Sequence, residues 1–224
     1  MSTVKDEAIK LRKNIDAVYE AGQKSVTKYD NYALLFDFRN YEGELIEIES
    51  NSTLSYCVDA TRTTTQSQGF CYNNKKLKRC IALLHNAISA RFAFCDCHNL
   101  EYIEVDMSKI VDSGIYSAFN STFAWCYALK RIEGKISLLN CIDENIFMGC
   151  KALEYVAFVP QSINLSISLG DSANLNADGV QTLINGLADL TGLAAQILDL
   201  HSDVVVKLTD EQILQITNKN WTVI

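Results

Sequence analysis

Proline is almost missing from this chain: Pro160 is the one proline among 224 residues, and glycine occurs only ten times. Collagen-like and proline-rich linker classes are thereby excluded. Cationic charge is also short, with 20 Lys and Arg against 27 Asp and Glu and a formal net charge of −7. Neutralising phosphates takes clustered Lys and Arg, so this balance argues against a nucleic-acid partner. No apolar run approaches the ~20 residues that cross a bilayer, so no membrane insertion is expected. The polar start, Met1-Ser-Thr-Val-Lys-Asp-Glu7, lacks the apolar core of a secretory signal. Histidine is scarce (His85, His98 and His201), and no glycine-rich phosphate loop, Gly-x-Ser-x-Gly elbow, His-Glu-x-x-His pair or Asp-x-Asp-x-Asp calcium spacing occurs. The expectation is a protein that is not an enzyme and uses no cofactor.

Hydrophobic residues make up 48% and charged residues 21%, a globular balance. Eight cysteines stand out: Cys57, Cys71, Cys80, Cys95, Cys97, Cys126, Cys141 and Cys150. Cys95-Asp-Cys97-His98 packs three metal-ligand types into four residues but lacks the second spaced pair of a zinc motif. The alternative is reduced cysteine acting as a small buried hydrophobe.

A repeat makes that alternative specific. Phe94-Cys-Asp-Cys97-His-Asn-Leu100-Glu-Tyr-Ile103, Phe123-Ala-Trp-Cys126-Tyr-Ala-Leu129-Lys-Arg-Ile132 and Phe147-Met-Gly-Cys150-Lys-Ala-Leu153-Glu-Tyr-Val156 share Phe-x-x-Cys-x-x-Leu-x-x-(Ile/Val). Weaker copies lie at Asn74-Lys-Lys-Leu77-Lys-Arg-Cys80 and Asn51-Ser-Thr-Leu54-Ser-Tyr-Cys57. Spacing by three sets Phe, Cys, Leu and Ile on the inner side of a tight coil that turns into a strand. One such unit cannot bury its apolar face alone, whereas stacked units share a core. The fold class expected is α/β, a leucine-rich-repeat solenoid with one continuous sheet. Stacked cysteines would sit at neighbouring-strand distance, within reach of a disulfide, so bridged and reduced forms both stay open.

Over residues 50–160 the pattern resembles the BspA-type leucine-rich repeat, including Ala93-Phe94 and Ala118-Phe119; the proline that closes a repeat there survives at Pro160. Two further stretches resemble repeat proteins of phages and prophages of gut bacteria. They are the ending, Leu187-Ala-Asp-Leu190 with Leu208-Thr-Asp-Glu-Gln-Ile213 and Asn220-Trp-Thr-Val-Ile224, and the opening Ile15-Asp-Ala-Val18-Tyr-Glu-Ala-Gly22. The resemblance implies a non-enzymatic attachment module of a phage or prophage particle, found in the virion or the cytoplasm. Its partner would be a protein or glycan on a host surface. The alternative is a BspA-type adhesin at the bacterial cell surface.

The flanks read differently. Val4, Ala8, Leu11, Ile15 and Val18 form a heptad seam in a helix over 3–25, which either self-associates into a homo-oligomer or caps the core. Residues 1–28 carry net +2 and the remainder −9. Residues 29–50, with Tyr29, Tyr32, Phe36, Phe38 and Tyr41, read as an N-terminal cap or an aromatic sugar platform, and residues 51–224 as the solenoid. From residue 160 on, longer units contain helices: a strand at Leu165–Leu169, a helix capped by Asn176 or Asp178 and running to Gly192, a strand at Ile197–Leu200, a helix opened by the capping box Thr209-Asp-Glu-Gln212, and a strand at Trp221–Ile224.

Strand alternation selects a candidate binding face. If Cys80, Ile103, Ile132 and Val156 point inward, then Arg79, Tyr102, Arg131 and Tyr155 point outward on successive strands, with Glu104 and Glu133 two residues further on. Arginine and tyrosine in alternation form cation–π pairs, and both are enriched at binding hot spots. A ladder that merely stabilises the sheet is the competing reading.

Overall fold

The computed structural model describes residues 34–35, 38–50, 54–55, 69–87, 89–110, 118–143 and 145–224. The helix expected over 3–25 lies outside them. The chain is α/β, and every strand pair among the described residues is parallel. Strands β1 (Leu34–Leu35), β2 (Leu45–Ser50), β3 (Leu54–Ser55), β4 (Arg79–Leu84), β5 (Tyr102–Met107), β6 (Arg131–Leu138) and β7 (Tyr155–Ile163) precede β8 (Ile167–Leu169). Helix α1 (Ala177–Gly186), β9 (Gln196–Leu200), α2 (Ser202–Val205), α3 (Asp210–Asn218) and β10 (Trp221–Val223) complete the order. The main sheet runs β2-β4-β5-β6-β7, a smaller one runs β8-β9-β10, and β1 pairs with β3.

Parallel neighbours in sequence need a return path, commonly a helix. Here, between β4 and β7, the described returns are the Phe-x-x-Cys turns. Leu77, Leu100, Leu129 and Leu153 are fully buried, as are Cys97, Cys126, Cys150 and the strand residues Cys80, Ile103 and Ile132. The turns stack on one another. Phe94 and Phe123 stack with nearly parallel ring planes and centroids 5.8 Å apart, Phe123 and Phe147 stack likewise at 5.6 Å, and Phe70 and Phe158 pack edge-on against the two ends of this trio at 5.9 and 6.1 Å. Backbone bonds run from turn to turn beside the column: Phe94 N–H to Thr122, Asp96 N–H to Ala124, Phe123 N–H to Ile146 and Trp125 N–H to Met148, all within 3.0 Å. The column and these bonds bury the face that each unit would otherwise expose.

Three expectations are corrected. β3, which contains Leu54, does not pair with β4. β2 holds that place, with Ile46 opposite Cys80, so a strand assigned to the cap is the first strand of the main sheet. The C-terminal strands do not continue that sheet; they form their own. The ladder is irregular between β6 and β7, and β7 runs through Pro160, which has no N–H to donate, and Gln161 at φ 55°. Helix α1 lies along β7 instead, the Thr182 hydroxyl donating to the Val156 carbonyl at 3.0 Å. Gly179 permits the approach, since a Cβ there would meet the Glu154 carbonyl oxygen at 2.2 Å. Finally, α1 stops at Gly186 rather than Gly192. Leu187 turns extended and bridges Ile163, while the Lys219 ammonium takes the Ile184 and Leu187 carbonyls at 2.7 and 2.8 Å.

The other C-terminal elements follow the sequence signals. Asn176 caps α1 by accepting from Gly179 N–H, and Thr209 and Gln212 form the reciprocal capping box of α3. His201 caps α2 through Asp203 N–H.

Candidate functional site

At the start of strands β4 to β7, successive residues alternate between the two faces of the main sheet. Cys80, Ile103, Ile132 and Val156 face the core, and Arg79, Tyr102, Arg131 and Tyr155 lie opposite one another on the other face. The structure therefore brings all six sequence-selected residues together. The row is two pairs rather than an unbroken alternation. The Arg79 guanidinium stands 4.1 Å from the Tyr102 ring centroid, and that of Arg131 stands 4.0 Å from Tyr155. Both arginines lean toward the following strand. Each stack contributes ~0.5–1 kcal/mol at a partly exposed site.

The second row locks onto the first. Glu104 and Glu133 lie opposite each other. The Tyr102 hydroxyl donates to Glu104 at 3.2 Å, and Arg131 Nε donates to Glu133. Partial burial, reinforced by Glu104, raises the Tyr102 phenol above its ordinary value, so it stays a donor at neutral pH. The face thus presents fixed guanidinium edges, phenol edges and carboxylates, the groups that make directional bonds to a macromolecular surface. A groove of about 450 Å³, lined by Ile142, Ser168 and Ile197 among others, lies elsewhere and contains none of the six residues.

The cysteines serve the core. The thiols of Cys97, Cys126 and Cys150 donate to the carbonyls of Cys71, Phe94 and Phe123 in the preceding turn, at 2.9, 3.0 and 3.1 Å. Burial pushes the Cys95 thiol up to about 12 and raises Cys97, Cys126 and Cys150 as well, far from nucleophilic thiolates. All seven described cysteines are free. Cys95 and Cys97 enter different apolar clusters, and among the described residues no set of three His, Cys, Asp or Glu is arranged to hold a metal. His98 approaches Asp96 at 2.7 Å and lies against the Tyr127 ring. The basic run Lys75–Arg79 is engaged locally: Lys75 with Asp96, Lys76 with Glu42, Lys78 with Glu44 and Arg79 with Tyr102.

Sequence reasoning missed what lies further along the same face. His85, just after β4, touches both Glu49 of β2 and Asp106 of β5. Continuing the outward alternation past Glu104 by two residues reaches Asp106, so the signal was present in the strand pattern. No family model, curated protein or solved structure matches this chain.

Proposed function

We propose that the chain is a BspA-type leucine-rich-repeat solenoid serving as a non-enzymatic attachment module of a phage or prophage particle, carried in the virion or made in the cytoplasm. The sheet face bearing Arg79, Tyr102, Glu104, Arg131, Glu133 and Tyr155 contacts a partner on the host surface. The observation that carries this reading is the register-matched row of two Arg–Tyr stacks with their paired carboxylates, a polar and aromatic surface. Tyrosine and arginine held rigid before binding lose little entropy on contact, which is what a hot spot requires. The stacked turns supply that rigidity. Buried thiols raised well above neutrality support a core role for the repeat cysteines rather than a chemical one.

The test uses fluorescently labelled protein and a panel of gut bacterial isolates. Wild-type protein should decorate a subset of isolates. Tyr102→Ala combined with Arg131→Ala should cut binding at least tenfold while the circular dichroism spectrum stays unchanged, because both side chains are half-exposed. A tenfold loss corresponds to ~1.4 kcal/mol, within reach of two hot-spot residues. Undiminished binding by the folded variant, or no isolate bound by wild type, overturns the reading. The repeat pattern itself favours the second reading, a cell-surface adhesin. Neighbouring genes for tail and lysis proteins, as against anchoring and secretion proteins, separate the two.

A further inference from the structure

The far end of the same sheet face carries a group that the binding reading leaves unused. Glu49 of β2 lies opposite Leu83 of β4, and Asp106 of β5 lies on the other side, one residue beyond the Ala82–Val105 pair. His85 spans them. Its Nδ1 is 2.9 Å from Asp106 Oδ2 and its Nε2 is 3.3 Å from Glu49 Oε1.

The two carboxylates are held very differently. Asp106 is 8% exposed, and its Oδ1 also accepts from the Ser108 backbone N–H and hydroxyl at 3.1 and 2.6 Å. Glu49 is exposed, and the imidazole is its hydrogen-bond partner among the described residues. A neutral imidazole has one N–H and can donate to one carboxylate; an imidazolium donates to both. When the proton leaves, the buried carboxylate keeps the remaining N–H on Nδ1. The Nε2 lone pair then faces the Glu49 carboxylate, and attraction turns into repulsion.

We propose that His85 is a proton-operated clamp: as the imidazolium it ties Glu49 of β2 to Asp106 of β5 across β4, and on deprotonation it releases Glu49 and loosens β2. The release falls on a strand with no partner on its other side among the described residues. Other charges bear on the group from each neighbouring strand: Glu47 precedes it on β2, and Lys135 of β6 lies opposite Asp106. Lys109 is occupied at Asn86 Oδ1, 3.1 Å away. The three clamp residues carry net −1 when closed and −2 when open, so the outer corner of the face becomes more acidic as it loosens.

The electrostatics run in the same direction. Hydrogen bonds to Asp106 and then to Glu49 raise the His85 imidazole above its ordinary value. Burial pushes the Asp106 carboxyl up, but Ser108 and His85 outweigh it and leave the group below the usual range. Because the folded-state value of His85 is raised, the clamp's stabilisation is complete below the unfolded value of ~6.5 and is lost as pH rises through the folded value. Nothing in the clamp depends on whether the face binds a receptor.

The experiment is an NMR titration of the His85 imidazole in the full chain, with amide exchange protection of β2 and β7 measured at pH 6 and pH 8.5. His85 should titrate above the ordinary histidine value. Protection in β2 should fall about two- to fivefold at the higher pH, the ratio that a partly exposed ion pair supplies, while β7 holds constant. Glu49→Gln, a surface change that keeps the side-chain shape, should lower the His85 value and abolish the pH dependence in β2. The clamp is overturned by a His85 value at or below the ordinary one, by equal β2 protection at both pH values, or by a pH dependence that survives Glu49→Gln.

Discussion

Asn74 occupies the turn position that Cys97, Cys126 and Cys150 hold in the later copies, and removing its side chain tests the logic of the stacked turns. The residue is 2% exposed and its side chain makes four hydrogen bonds. Its Nδ2 donates to the carbonyls of Phe38 and Tyr41 at 2.8 and 2.9 Å, and its Oδ1 accepts from the N–H groups of Lys76 and Leu77 at 2.8 and 3.0 Å. In Asn74→Ala the Phe38 carbonyl retains the Tyr41 N–H at 3.1 Å, and the exposed Lys76 N–H can turn to water. The Tyr41 carbonyl and the Leu77 N–H remain, both in buried surroundings, and each orphaned group costs ~1–3 kcal/mol. The expected loss is therefore about 4 kcal/mol. Asn74→Asp should be as damaging, because a carboxylate keeps the acceptor half but points negative charge at two carbonyl oxygens. Asn74→Cys should be milder than either, since a thiol can donate to one carbonyl as the repeat cysteines do. Urea melts followed by tryptophan fluorescence give the global loss. Exchange of the Phe38 amide, bonded to the Phe70 carbonyl at 2.8 Å, reports whether the segment 38–41 detaches first. A shift below about 1 kcal/mol in Asn74→Ala, with Phe38 protection unchanged, would refute the view that a polar side chain at this position docks the segment N-terminal to the repeats.

Two further outcomes follow from the core. Leu129→Ala removes a fully buried side chain from the centre of the stack and should cost about 2–5 kcal/mol in a urea melt; near-neutral stability contradicts the repeat register. Cys97, Cys126 and Cys150 should resist thiol reagents in the folded protein and label only on unfolding, and fast labelling of all three in the native state contradicts their buried, carbonyl-bonded placement.

Much of this organisation was legible because the same four apolar positions recur. Leu100, Leu129 and Leu153 and the inward strand residues follow directly from that spacing, and strand alternation then selects the six residues of the candidate face. The capping box of α3 was legible too, since Thr209 and Gln212 act within three residues of each other, and the cap of α1 was narrowed to Asn176 or Asp178. Two of the misreadings share one cause: each concerned which strand lies beside which. Local spacing made Leu54 look like a neighbour of Leu77, yet Ile46 and Ile48 offer the alternating inner face that β4 needs, and β2 took the place. Phe70 escaped the pattern because it precedes Leu77 by seven residues rather than six, although its ring stands in the same column as Phe94. The pairing of Glu49 with His85 spans 36 residues, and no local motif encodes it.

The feature most thoroughly hidden was backbone conformation. The residue just before the repeat cysteine position is left-handed in each of the four described turns: Asn73 at φ 59°, Asp96 at 67°, Trp125 at 58° and Gly149 at 75°. A second left-handed residue stands four positions earlier in the last three turns, at Phe92, Ser121 and Asn145. Asn, Asp and Gly announce such a position, because they tolerate positive φ. Phe and Trp conceal it, since a bulky side chain there is strained. Packing explains why the strain persists. Trp125 lies over Gly149, where a Cβ would come within 3.0 Å of the indole, and it packs with Met148 against the cluster of Phe92, Cys95 and Ala124. One turn thus accepts an unfavourable φ at a bulky residue because the next turn, at the equivalent position, has no side chain at all. Between these two turns, register rests on that complementarity as well as on the buried Leu129 and Leu153.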